Sequence, residues 1–156
     1  MKRSLRAAPG ALMLLAWALV GPACVTRPMP PWDVTAPGWE RRGFDALWRP
    51  DAKSAEVAGD LLVAEHPDGS RWIQFSKQGL PLVVARSDAS GWEIGSPMRK
   101  RVFRGAGRPP GRIVWFRVGR DGAEVVADPG WRTSRDGRGG WILERTRTGE
   151  RLEVVP

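Results

Sequence analysis

Few residues in this chain have side chains and spacing suited to chemistry. Cys24 is the only cysteine among 156 residues, and it directly follows an apolar run, Ala11 to Val20, and the small-residue exit Gly21-Pro22-Ala23. A thiol placed immediately after a cleavage signal can be acylated, so the chemistry it suggests is attachment and not catalysis. His66, the only histidine, precedes Pro67 at a turn and reads as a solvated turn residue. Ser70, Ser76, Ser87, Ser90 and Ser96 lack the G-x-S-x-G setting of an activated nucleophile. One His and one Cys do not make the usual zinc sphere. Glu56, Asp60 and Glu65 read as a solvated strand face and loop, and Asp121-Gly122 and Asp136-Gly137 are turn dipeptides with no calcium-ligand series after them. The residues therefore point to a protein that is not an enzyme, with no cofactor and no metal.

Lys2, Arg3 and Arg6 precede the apolar run, which gives residues 1–23 the build of a secretory signal peptide. The run is ten residues long, whereas a spanning helix needs roughly 20. The exit resembles the lipobox of bacterial lipoproteins. Ala23 fits that pattern, while Gly21 and Pro22 stand where it has Leu and a small residue. Two outcomes stay open: an acylated Cys24, or ordinary signal-peptidase cleavage that leaves a free thiol. An unpaired thiol has little use in a secreted chain, which favours acylation. Two or three acyl chains at ~0.8 kcal/mol per methylene would hold the protein on a bilayer. In the lipoprotein resemblance, Val25 implies sorting to the outer membrane.

Loss of residues 1–23 removes three cations and lowers the formal net charge from +8 to +5. The remainder is the size of one domain and can bury a core without disulfides. Residues 24–38 form a lipidated cysteine and a Pro-rich tether, extended at Pro28, Pro30 and Pro31, and residues 39–156 form a single β domain. The segment Trp39 to Trp48, apolar at Trp39, Phe44, Leu47 and Trp48, fits a short helix or an edge strand.

From Gly59 onward short apolar or alternating runs recur between turn residues. Pro67-Asp68-Gly69-Ser70 joins Asp60–His66 to Arg71–Lys77, in which Trp72 and Gln74 share one face and Ile73 and Phe75 the other. Asp88-Ala89-Ser90-Gly91 joins Leu80–Arg86 to Trp92–Gly95. Arg99–Arg104 reads as a short basic strand, Ile113–Val118 as the most apolar strand, and Ala123–Ala127 as the strand after it. Trp131–Ser134, Trp141–Arg145 and Arg151–Val155 complete the series. The predicted fold class is mainly β: an antiparallel meander curled into a half-open β-barrel, with at most one or two short N-terminal helices.

Arg104 to Arg112 has the Gly-Arg-Pro character of minor-groove segments, but an exported protein meets no chromosome, so nucleic acid is not expected as a partner. Eight of the nine tryptophans follow Cys24, at Trp32, Trp39, Trp48, Trp72, Trp92, Trp115, Trp131 and Trp141. They could fill a small β core or line a cavity for acyl chains.

The stretch from Gly59 to Val118 resembles the LolA/LolB type of lipoprotein carrier, and in particular short LolB-like lipoproteins. The resemblance is carried by Trp72-Ile73-Gln74-Phe75, Gln78-Gly79-Leu80-Pro81-Leu82, Trp92-Glu93-Ile94, and the block from Phe103 to Pro110 leading into Ile113-Val114-Trp115-Phe116. It implies an incomplete antiparallel barrel whose apolar concavity receives acyl groups, with helices as a lid that residues 39–48 and 52–58 could supply. It also implies an exposed apolar residue that enters the membrane; Leu80 is the match, or else it is the first core residue of its strand. Trp72, Phe75, Trp92, Trp115 and Phe116 are the expected cavity residues. The expectation is an outer-membrane lipoprotein on the periplasmic face, anchored through Cys24, with lipid or lipoprotein acyl chains as ligand and a periplasmic carrier protein as partner. The alternative is a structural or assembly envelope lipoprotein with a filled core that binds a protein.

Overall fold

The computed structural model describes residues 28–119 and 128–156. Residues 1–23, Cys24 and the expected strand Ala123–Ala127 lie outside them. Nine strands follow one another: β1 Glu40–Arg49, β2 Val57–Glu65, β3 Arg71–Lys77, β4 Leu80–Ser87, β5 Gly91–Ser96, β6 Arg101–Ala106, β7 Trp131–Arg135, β8 Trp141–Arg145 and β9 Arg151–Val155. They form one antiparallel sheet in the order β6-β5-β4-β3-β2-β1-β9-β8-β7. The sheet curls around one core and stays half open, because β6 and β7 are its two edges and do not pair with each other.

Side-chain parity fixes the buried face. Phe44 lies opposite Leu61, Leu61 opposite Phe75, and Phe75 opposite Val83, while Ala46 lies opposite Val154 and Leu143 opposite Leu152. Each is an inward position of its strand, so a slip of one residue would turn the whole set outward. The hairpins are held by their turn residues. Asp68 accepts from the Ser70 N–H at 2.7 Å, Asp88 from Ser90 N–H at 2.7 Å and Asp136 from Gly140 N–H at 2.6 Å. Between β3 and β4 the two turn residues Gln78 and Gly79 both have positive φ, 51° and 77°, the type I′ geometry that suits a two-residue hairpin.

Three expectations change. Residues 39–48 are neither helix nor edge: β1 is an inner strand, paired with β2 on one side and β9 on the other. Residues 52–58 supply no lid helix but a turn that leads into β2; among the described residues the helical pieces are two 3₁₀ turns in mid-chain, Pro97–Arg99 and Val114–Arg117. The second turn replaces the most apolar expected strand. Val114, Trp115, Phe116, Arg117 and Val118 are all buried. A segment buried on every side has no alternation to mark it as a strand, and its apolar run reads the same either way.

Candidate functional site

The chain leaves the edge β6, crosses the inside of the curled sheet at Val114–Arg117, and so fills the middle of the bowl with its own side chains. Trp115 stacks on Phe75 with centroids 5.4 Å apart, and Trp48 meets Trp115 edge-on at 5.1 Å. Trp92 and Phe116 form a second edge-to-face pair at 5.9 Å. Such pairs add to the area they bury. The crossing is locked by Arg117, which donates to the Gly111 carbonyl at 2.8 Å, pairs with Asp128 and lies over the Trp131 ring at 5.2 Å.

The five residues expected to line one cavity therefore fall into three places. Phe75 and Trp115 fill the centre, at 0% and 3% exposure. Trp92 and Phe116 close the β5 end. Trp72 is on the opposite face of the sheet, as its odd spacing from Phe75 on β3 requires. Leu80 is exposed at the β3–β4 turn and is not a core residue of its strand.

The packed centre leaves a hollow of about 380 Å³ at the β5–β6 end. Val83 and Trp115 form its floor and Ile94 and Ile113 its walls. Its lip carries Phe103, Arg99, Arg101 and Arg112, all exposed. Glu150, on the β8–β9 connection, also borders it. Burial pushes the Glu150 carboxyl above the usual glutamate value, against the opposing pull of the Trp48 indole and the Arg145 charge. An apolar floor below three guanidinium groups suits a molecule with an apolar body and an anionic head. A larger recess, about 690 Å³, lies between the hairpin turns and the Gly107–Gly111 loop; Arg71, Arg108, Arg117 and Asp128 make it polar.

The outer face carries a second cluster that the sequence did not reveal. Glu93 is buried between Arg86, at 2.6 Å, and Arg104, at 3.1 Å. Arg86 also donates to the carbonyls of Met29 and Pro30, at 3.0 and 2.7 Å. Its guanidinium lies 5.7 Å from the Trp32 ring and 5.9 Å from the Trp72 ring. Trp32, Trp39 and His66 continue the contact as a row of rings. The Pro-rich segment is thus docked on the sheet from Met29 onward, and His66 is half-buried in that contact. The signal for this was the paired Arg86 and Trp72 on one strand face, which becomes readable only once β3 and β4 are in register. Among the described residues, no three His, Cys, Asp or Glu side chains group as a metal site, and no helix is long and apolar enough to cross a membrane. No protein-family model, curated protein or solved structure matches the chain, so the functional reading rests on the geometry of the fold.

Proposed function

We propose that the protein is an outer-membrane lipoprotein, anchored through acylated Cys24 at the periplasmic face, that binds an acyl chain of a lipid or lipoprotein without chemistry, in the manner of a LolB-like carrier or receptor. The observation that carries this reading is the hollow beside Trp115, apolar within and arginine-rimmed at its mouth. Its volume lies at the low end for ligand sites, ~300–1,000 Å³. Each methylene buried there contributes about 0.8 kcal/mol.

The reading is narrower than the sequence expectation, since the binding place is the β5–β6 end of the bowl and not its whole concavity. A second reading, a structural or assembly lipoprotein with a filled core that binds a protein partner, is favoured by the stacked Phe75 and Trp115. Native mass spectrometry of the purified full chain with Cys24→Ser, together with titration of a fluorescent fatty acid, separates the two. Stoichiometric lipid that the probe displaces, and that Ile94→Trp excludes by filling the hollow, supports acyl binding. A lipid-free protein that ignores the probe supports the filled core.

A further inference from the structure

The surface changes character at the edge strand β6. The exposed large hydrophobic residues among those described are Leu80, Met98, Val102 and Phe103, and three of these four fall within the six residues from Met98 to Phe103, at 62%, 49% and 65% exposure. Residues 97–112 contain six basic side chains, at Arg99, Lys100, Arg101, Arg104, Arg108 and Arg112, and no acidic one. Of these, Arg104 is held by Glu93, and the others have no carboxylate partner among the described residues. Bulky apolar groups standing out from a ring of cations are costly in water and self-repelling, so this edge is built to meet something apolar and negatively charged.

The two faces of β6 expose different apolar groups. Val102 borders an outer recess of about 410 Å³ with Trp32, Trp72 and Met29, while Phe103 lies at the lip of the inner hollow. Pairing with the same edge of a second copy would bring Lys100, Arg101 and Arg104 against their counterparts, and like charges at an edge oppose such pairing. An anionic bilayer suits both features, since headgroup phosphates meet the cations and the acyl boundary meets the apolar side chains.

We propose that the segment Met98–Arg104 docks on the surface of an anionic phospholipid membrane, with Met98, Val102 and Phe103 entering the headgroup layer and Arg99, Lys100 and Arg101 on the phosphates. This contact is separate from the anchor and does not depend on an occupied hollow. It agrees in position with the proposed anchor. Cys24 precedes Met29 by five residues, a covalent reach of at most about 18 Å, and Met29 lines the same recess as Val102. Docking would also turn the mouth of the hollow toward the lipid.

The test uses the full chain with Cys24→Ser and a single new cysteine, Phe103→Cys, carrying an environment-sensitive fluorophore; Arg138→Cys, in the exposed β7–β8 turn, is the control. Vesicles of phosphatidylcholine are compared with vesicles containing equal parts phosphatidylglycerol and phosphatidylcholine. The expected result is a blue shift at position 103 with phosphatidylglycerol, none at 138, and loss of the shift in molar salt. Combined Arg99→Gln, Lys100→Gln and Arg101→Gln should weaken vesicle binding about tenfold or more. A probe at 103 that stays in water while the protein sediments with vesicles overturns the proposal, because the apolar N-terminal run is then the binding element. Absence of vesicle binding overturns it as well. A shift that needs no vesicles and grows with protein concentration overturns it in favour of edge pairing between copies.

Discussion

At the scale of single residues, Trp115 shows how one side chain decides between a hollow and a core. It sits against Phe75 and Trp48 and is 3% exposed, so it closes the centre of the bowl while its rim-side surface floors the remaining hollow. Trp115→Ala should cost about 3–5 kcal/mol, read as a lower midpoint in urea unfolding. Glu150 predicts a pH dependence. In the unfolded chain it titrates at the ordinary glutamate value, and in the fold burial holds it higher. The folded state therefore keeps a proton that the unfolded state has released, and stability falls as pH rises from the ordinary value through the raised one. Glu150→Gln should flatten that part of the profile and stabilise the protein at neutral pH, as urea midpoints across the interval would record. Part of this scale was legible in the sequence. Alternation along β3 places Trp72 and Phe75 on opposite faces, which already tells against both lining one cavity as expected, and residue type alone could not say what occupied the space above Phe75.

At the scale of elements, the hairpins were legible because their turns have their own chemistry. Asp88 illustrates it: although burial alone would raise its carboxyl, the Ser90 hydroxyl and the Ser90 and Gly91 amides hold it below the usual aspartate value. Its contribution to stability is thus present above the ordinary value and lost as pH falls through the lowered one. Asp88→Ala should speed hydrogen exchange at the Ser90 and Gly91 amides and loosen the β4–β5 turn, with little change at the distant β7–β8 hairpin. The crossing Val114–Arg117 was not legible. Its apolar run suited a buried strand as well as a 3₁₀ turn, and although the outer side of β6 is free it turns into the bowl instead of adding to that edge. The exposed Val102 and Phe103 were hidden for a related reason, since an apolar residue on a short strand reads as core until the strand proves to be an edge, and Met98 lies in the turn before it.

At the scale of the whole molecule, the meander is broken at one place. Strands that lie side by side are neighbours in sequence except at one seam, where β1 lies beside β9 and Leu47 stands opposite Glu153, and the consecutive strands β6 and β7 are left as the two edges. Local turn signals carry no information about a contact between residues so far apart, and the sequence accordingly showed the strands without showing how their order closes. Strand β9 also pairs with β8, so it is the one strand that hydrogen-bonds the β7–β8 hairpin to the larger sheet, beside the side-chain contacts of Trp131 with the crossing. Removing Arg151–Pro156 should therefore abolish a single cooperative unfolding transition, and should leave the amides of β2–β5 better protected from exchange than those of β7 and β8. The same arrangement sets an order of assembly. During synthesis β1 to β6 can pair as they emerge, but the free side of β1 has no partner until β9 is made. The nascent protein carries an open seam along β1 while β2 to β8 are made, and a cell that makes it has to keep that seam from pairing with other chains until β9 arrives.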